Sequence, residues 1–264
     1  MASLVGSRVE RKEDKKFLTG KGRYTADINL ANQTYAYFVR SPHARASISK
    51  VDVSKASNAP GVVRILTGDD LAKDKIGGLI AGWKIVSQDG TDMKVPAHPP
   101  LANNTVNYVG DHVAVVIAET LDQAREAADL VRVDYKVLKA VVKTSDALNS
   151  KPIHEGIDKN LCFDWGLGDK AKTDEAFSKA EKIIKIDLVN NRLIPNAMEP
   201  RASIGDYNPS SENLTLYTTN QNPHLTRLVL SAFCAIQPEH KFRVVAPDVG
   251  GGFGSKIYPY AEDA

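Results

Sequence analysis

The sequence is poor in cysteine and carries almost no net charge. Its 264 residues include two cysteines, and the formal net charge is +2. Cys162 and Cys234 lie far apart and neither has a C-x-x-C partner, so the sequence predicts no disulfide framework and no thiolate metal cluster. Both thiols are expected to be buried or partly buried. The balanced charge gives no reason to expect a nucleic-acid or membrane surface.

Long apolar runs are also missing. No stretch is apolar over the roughly 20 residues that cross a bilayer, and the first residues hold no apolar core of the kind found in secretory signals. We therefore expect a cytoplasmic protein without a membrane span. Metal-ligand spacing is absent too, because His98 has no histidine or carboxylate at ligand spacing and is better interpreted as a loop residue.

Helix and strand patterns mix along the chain and predict an α+β protein of two domains. With 42% hydrophobic and 25% charged residues, the composition is that of an ordinary globular protein. Residues 1–140 combine strand, helix and strand segments, and polar turn residues replace that pattern between 139 and 159. A second domain is expected over residues 160–264. It is predicted to begin with a short helix capped by Thr173 and a strand from Lys182 to Val189.

A glycine cluster near the end of the chain is its most unusual local feature. A run of strand type, Phe242 to Ala246, leads into four glycines within five positions, Gly250, Gly251, Gly252 and Gly254. Glycine loses more conformational freedom on folding than any other residue, so the cluster predicts a place where side chains do not fit. Ser255 stands where both a Walker loop and a dinucleotide fingerprint require glycine, which excludes those two motifs.

The remaining interpretation is a strand-to-loop turn that approaches a ligand closely. Its bare N–H groups could surround an oxygen-rich or anionic group, with Lys256 adding positive charge. A close crossing of two backbone segments is the alternative explanation for the glycines. Glu199 and Arg201, upstream, could form an acid and base pair, although a structural ion pair fits them better because no nucleophile accompanies them.

A second polar stretch lies at the predicted mouth of a helix. Asn222 is a good N-cap and Pro223 suits the first helical position. Apolar residues then recur at helical spacing and predict one buried stripe, formed by Leu225, Leu228, Val229, Ala232, Phe233 and Ile236. Gln221 therefore stands beside a helix N-terminus, where free N–H groups favour negative charge.

These stretches together resemble the molybdenum-containing large subunits of the xanthine dehydrogenase, aldehyde oxidase and carbon monoxide dehydrogenase family. Asp248 to Lys256 is similar to that family's molybdopterin-contact loop, and Gln221 to His224 is similar to its glutamine motif. Ala197 to Arg201 is similar to a third signature. Near the start, Arg40 to Ala46 and Pro60 to Val63 resemble the family's α/β hammerhead domain. The similarity runs in the same order from about Arg8 to the last residue.

The resemblance implies a fold, a cofactor and a set of partners. Residues 1–140 would form the hammerhead domain, and residues 160–264 a partial molybdopterin-binding α+β domain. The cofactor would be molybdenum-molybdopterin, in its cytosine dinucleotide form. Gln221 would donate its amide N–H to an oxo group on molybdenum, without direct ligation of the metal by any side chain. The cofactor-binding residues implied are Gln221, Gly251, Gly252, Phe253 and Gly254.

The activity implied is oxidation of a substrate with water as the oxygen source. Electrons would pass to [2Fe-2S] clusters on a small subunit and FAD on a medium subunit, in a dimer of heterotrimers. Ile257 stands where the purine-hydroxylating branch has glutamate, so xanthine is a poor substrate candidate and the carbon monoxide dehydrogenase or aldehyde oxidase type is favoured. The resemblance places the general base beyond the chain's C-terminus, so no catalytic residue is expected within it. The alternative is a non-catalytic fragment or assembly subunit that keeps the fold.

Overall fold

Strands and helices are interspersed along residues 5–264, the part of the chain that the computed structural model describes. The strands are β1 (Tyr35–Arg40), β2 (Ala46–Asp52), β3 (Val62–Thr67), β4 (Thr105–Val106), β5 (His112–Ala118), β6 (Arg132–Val137), β7 (Ser203–Asn208), β8 (Asn213–Thr218) and β9 (Phe242–Val245). The helices are α1 (Asp14–Leu18), α2 (Gly68–Lys73), α3 (Leu121–Ala128), α4 (Thr144–Ala147), α5 (Lys170–Ser178) and α6 (Pro223–Ala232). No helix among these residues is long and apolar enough to cross a membrane.

The chain divides into two units. One is Tyr35–Ile194, and the other joins the N-terminal residues up to Thr34 with Pro195–Ala264. The mixture of helices and antiparallel strands confirms the α+β prediction.

The unit Tyr35–Ile194 holds two antiparallel sheets of three strands, in the orders β1-β5-β3 and β4-β2-β6. Strand β5 is central in the first sheet, and most of its residues are buried, in agreement with its apolar sequence. Helix α3 packs on β1 and β5 through its alanines, and Ala124 and Ala127 are fully buried. Thr120 caps this helix, because its hydroxyl accepts the N–H of Gln123 at 3.2 Å.

Two sequence predictions in this unit are wrong. Helix α5 begins at Lys170 with Asp169 as its cap, whose carboxylate accepts the N–H of Lys172 at 3.0 Å, so Thr173 lies inside the helix. Lys182 to Val189 forms no strand, although its apolar residues alternate. Alternation supplies an apolar face, but a strand also needs a hydrogen-bonded neighbour, and no strand of the described chain pairs with this segment.

The second unit carries the sheet β7-β8-β9. Strands β7 and β8 form an antiparallel hairpin, and β8 and β9 are parallel, with Leu214 opposite Phe242. Parallel neighbours need a crossover connection, and α6 supplies it here. The buried residues of α6 are Thr226, Val229 and Leu230. The predicted stripe is therefore wrong in part, since Leu228 and Phe233 are exposed.

Candidate functional site

The parallel pairing of β8 and β9 brings the two predicted polar stretches together. Both strands run in the same direction, so the segments that follow them leave the sheet at the same edge. After β8 the chain reaches Gln221 and enters α6, and after β9 it reaches the glycine loop, defined here as residues 250–256. The cap of α6 is as predicted, with the Asn222 side chain accepting the N–H of Leu225 at 3.3 Å and Pro223 at the first helical position.

Three hydrogen bonds fix Gln221 against the glycine loop. Its backbone N–H donates to the Lys256 carbonyl oxygen at 2.8 Å. Its side-chain oxygen Oε1 accepts the N–H of Gly254 at 3.0 Å and that of Lys256 at 3.2 Å. Two donors on Oε1 set the orientation of the amide, because a flipped amide would point its NH₂ group at them. The Nε2 group is therefore directed away from the loop backbone, and it has no acceptor within residues 5–264.

Close approach by side chains explains two of the glycines. A Cβ atom at Gly252 would lie 2.3 Å from Cδ of Gln221, and one at Gly250 would lie 2.5 Å from Cβ of Glu199. Gly252 thus makes room for the Gln221 side chain. At Gly250 two backbone segments also meet, since the N–H of Glu199 donates to the Gly250 carbonyl at 3.2 Å. Gly254 has a different reason, because its φ of +88° belongs to the left-handed region.

The loop presents consecutive backbone donors. Among the described residues, the N–H groups of Gly251, Gly252 and Phe253 have no hydrogen-bond acceptor, whereas those of Gly250 and Gly254 are bonded. Phe253 adopts a φ of +50°, which is unusual for a residue with a side chain, and the residue is 73% exposed. Successive unpaired N–H groups in such a turn form a concavity that suits an anionic or oxygen-rich group.

The charged residues around the loop differ from their predicted roles. Lys256 is 2% exposed, and its Nζ donates to the Glu199 carbonyl oxygen at 2.8 Å and to Glu199 Oε2 at 3.2 Å. Its charge is therefore neutralised inside the unit and does not face a ligand. Glu199 and Arg201 do not pair with each other. Arg201 instead forms an ion pair with Asp263, donates to the Ser255 carbonyl at 3.1 Å and lies over the Tyr260 ring at 3.9 Å.

Asp248 makes a long-range contact that the sequence did not reveal. Its Oδ2 accepts the backbone N–H of Arg23 at 2.7 Å, and its own N–H donates to the Arg23 carbonyl at 3.1 Å. The Lys16 ammonium lies 2.5 Å from the same carboxylate. The hydrogen bonds from Lys16 and Arg23 hold the pKa of Asp248 below its ordinary value. No local pattern could indicate a partner 225 positions away.

Metal and cysteine sites give no competing candidate. Within residues 5–264 no group of three or more His, Cys, Asp or Glu side chains is arranged to hold a metal ion. Cys162 is exposed, contrary to the prediction, and Cys234 is buried. Burial raises the pKa of the Cys234 thiol to about 11. An open hollow of about 450 Å³ in the other unit, beside Gln88 and Phe163, contains none of the predicted site residues.

Family models match both parts of the chain. Residues 19–139 match the model described as aldehyde oxidase and xanthine dehydrogenase, a/b hammerhead domain. Residues 153–264 match the model described as molybdopterin cofactor-binding domain.

Individual relatives agree with these models. The chain is 34% identical to the nicotine 6-hydroxylase large subunit of Paenarthrobacter nicotinovorans, over 99% of this chain and 31% of that protein. It is also 34% identical to the carbon monoxide dehydrogenase large chain of Afipia carboxidovorans, over 97% of this chain and 32% of that protein. The fold matches the crystal structure of quinoline 2-oxidoreductase from Pseudomonas putida 86 with a TM-score of 0.87 and 32% identity, over 98% of this chain and 32% of that one.

The chain spans about a third of the length of these relatives. The matched regions nevertheless cover most of both units, and the glycine loop and Gln221 lie in the segment that matches the cofactor-binding model. The chain thus belongs to the molybdenum hydroxylase large-subunit family, of which it represents the N-terminal portion.

Proposed function

We propose that this chain forms the first part of the molybdopterin site in the large subunit of a molybdenum-dependent oxidoreductase, with Gln221 and Gly251–Gly254 facing the cofactor. One observation carries the proposal: Gln221 is locked onto the loop by Gly254 and Lys256, and its Nε2 group and three loop N–H groups remain without acceptors in the described chain. Fixed donors of this kind stabilise oxygen-rich or negatively charged groups without reorganising.

The residues present fit such a cofactor. Glycine at position 252 lets Gln221 reach the loop, so the side-chain amide and the backbone N–H groups of Gly251 to Phe253 form one donor set. No side chain of this set is a metal ligand, which agrees with a cofactor whose own sulfur atoms hold the metal. The protein would then contribute position and electrostatic environment.

When bound, the cofactor supplies oxidation of the substrate with water as the oxygen source. Gln221 would hold the cofactor through Nε2, and the backbone N–H groups of Gly251, Gly252 and Phe253 would donate to its oxygen-rich groups. No general base is assigned within this chain. We therefore propose that residues 1–264 by themselves do not turn over substrate.

The wider assembly follows from the same family membership. We propose a cytoplasmic complex in which this subunit carries molybdopterin cytosine dinucleotide, a small subunit carries [2Fe-2S] clusters and a medium subunit carries FAD, with two heterotrimers per complex. Residues 1–140 would form the hammerhead domain, and residues 160–264 part of the cofactor-binding domain. The large-subunit names of the relatives support a multi-subunit enzyme.

Ile257 bears on the choice of substrate. A purine ring needs a hydrogen-bonding carboxylate to hold its nitrogens, and an isoleucine side chain offers no polar atom. We propose a substrate of the carbon monoxide or aldehyde type. The relatives named for nicotine and quinoline make aromatic N-heterocycles the next class to assay.

A chimera tests the proposal. Residues 1–264 would replace the matching segment of the Afipia carbon monoxide dehydrogenase large chain, and the product would be purified with its flavin and iron–sulfur subunits. We expect bound molybdenum and pterin, and we expect Gln221→Ala to lower dye-linked oxidation of carbon monoxide or aldehyde by about 100-fold, as loss of a fixed donor does. His224→Ala serves as a neighbouring control. A chimera that assembles with flavin and iron–sulfur subunits but carries no molybdenum would instead support the assembly-subunit alternative.

A further inference from the structure

Glu199 contacts both ends of the glycine loop. At the start of the loop its backbone N–H donates to the Gly250 carbonyl at 3.2 Å, and its Oε2 accepts the Gly250 N–H at 2.6 Å. At the end of the loop the same Oε2 and the Glu199 carbonyl both accept from Lys256 Nζ. One residue therefore joins two positions that lie six residues apart in the sequence.

The contacts between Glu199 and Lys256 are shielded from solvent. The side chain of Lys256 is 2% exposed and that of Glu199 is 12% exposed. Charge-assisted hydrogen bonds in such surroundings are stronger than exposed ones, and loss of one partner leaves an uncompensated charge. The Glu199–Lys256 pair thus ties the two ends of the glycine loop together inside the fold, unlike a solvated surface ion pair.

The contacts of Glu199 with Gly250 and Lys256 also restrict the loop N–H groups that Glu199 itself does not bind. With Gly250 and Lys256 held, the backbone between them is confined, and the N–H groups of Gly254 and Lys256 meet Oε1 of Gln221. The unpaired donors of Gly251 to Phe253 lie on the same confined segment.

We propose that Glu199 and Lys256 are positioning residues, a clamp that holds the glycine loop in the arrangement needed to meet the molybdenum cofactor. The proposal rests on the proposed function of the loop. Lys256 Nζ and Glu199 Oε2 are directed to each other and to Gly250, so both act on the loop from within the fold. The second carboxylate oxygen of Glu199, Oε1, is buried and has no hydrogen-bond partner among the described residues.

The first test uses residues 1–264 without cofactor and measures amide hydrogen exchange. In Glu199→Gln, the N–H groups of Gly254 and Lys256 should exchange about tenfold faster, since weakening a charge-assisted bond is worth about that factor. Glu212→Gln is the matched control, because it removes one carboxylate from an exposed ion pair with Lys241. Unchanged exchange at Gly254 and Lys256 in Glu199→Gln would overturn the clamp.

A double variant separates loop order from stability. Glu199→Gln combined with Lys256→Met removes both charges while keeping their approximate volumes, so the melting temperature should recover towards that of the parent. Exchange at Gly254 should stay fast, because methionine at position 256 donates no hydrogen bond to the carbonyl or the side chain of residue 199. Slow exchange restored together with the melting temperature would show that the pair serves stability alone.

The second test follows cofactor retention in the chimera. Molybdenum should dissociate about tenfold faster from Glu199→Gln than from the parent or from Glu212→Gln. An unchanged dissociation rate beside faster amide exchange would overturn the link to the cofactor. A parent chimera without molybdenum would refute the proposed function, whereas the exchange experiment would still decide whether the clamp exists.

Discussion

Gly252 has no side chain, and Gln221 fills the space that a methyl group would need. The added Cβ would lie 2.3 Å from Cδ of Gln221 and 2.4 Å from its Oε1. Gln221 could avoid this overlap only by leaving the N–H groups of Gly254 and Lys256. The fit is therefore mutual, because each residue is placed by the other.

Gly252→Ala is expected to destabilise the unit that contains Pro195–Ala264 by about 1–3 kcal/mol, the range for inserting a methyl group into filled space. Gly205→Ala is the matched control. Gly205 lies in β7, has no heavy atom within 4 Å of its added Cβ and needs no left-handed φ. Equilibrium urea unfolding followed by circular dichroism measures both variants. Equal stability of the two would contradict the steric explanation.

Helix α2 shows how one carboxylate organises an element. Asp70 Oδ2 accepts both the hydroxyl and the backbone N–H of Thr67, each at 2.8 Å. These two hydrogen bonds, the hydroxyl first, hold the pKa of Asp70 below its ordinary value. A carboxylate whose pKa is lowered by folding stabilises the fold above its unfolded pKa, near about 4. That stabilisation is lost as the pH falls through the folded pKa.

Asp70→Ala should therefore lower the free energy of unfolding by about 1 kcal/mol at pH 7, a typical value for a lost cap. The difference in stability should shrink as the pH falls below about 4, because the parent then loses the same stabilisation when its Asp70 carboxylate becomes protonated. Asp69→Ala removes the same charge from the same helical turn without removing the hydrogen bonds, and it should cost less. Urea unfolding between pH 7 and pH 3 measures the difference, and a deficit independent of pH would contradict the assignment.

Elements with local signals were predictable, and elements that depend on distant partners were not. The cap at Asn222 follows from a short-range pattern and is present. The alternating segment Lys182 to Val189 has the sequence pattern of a strand, but it forms none because it has no strand to pair with. Helical spacing predicted α6 but not which of its apolar residues are buried. Leu228 and Val229 are both aliphatic, yet only Val229 is buried, because the fold covers one and not the other.

The candidate site divides in the same way. The local settings of Gln221 and of the glycines could be predicted from the sequence, because a helix N-terminus and a glycine cluster are both short-range patterns. The partners of Glu199, Arg201 and Asp248 could not, since each ion pair or hydrogen bond spans more than 50 positions. Charge alone allowed Glu199 to pair with Arg201, and only the fold assigns it to Lys256.

At the scale of the whole molecule, the stretch from Ile183 to Ile194 exposes an unusual amount of apolar surface. Seven aliphatic side chains there are between 61% and 87% exposed, namely Ile183, Ile184, Ile186, Leu188, Val189, Leu193 and Ile194. Isolated exposed apolar residues are ordinary, but a contiguous group promotes association. The same segment combines β-branched residues with alternation, which favours pairing between strands of separate molecules.

Residues 1–264 should accordingly self-associate and bind a hydrophobic dye. Replacing Ile184 and Leu188 together by lysine should reduce dye binding and shift sedimentation towards the monomer. The control pair Val142→Lys and Leu167→Lys adds the same charge at residues that are 84% and 90% exposed elsewhere. Equal improvement by both pairs would mean that net charge, and not this segment, governs association.

The conformation and exposure of Phe253 bear on ligand binding as well as on stability. Its backbone lies in the left-handed region, where a glycine would be relaxed, and its ring is open to solvent over the loop. The left-handed backbone and the exposure of the side chain both make phenylalanine less favourable here than glycine. The stability of the fold therefore does not explain why this position holds an aromatic residue. The exposed aromatic side chain is available to contact a ligand bound at the loop.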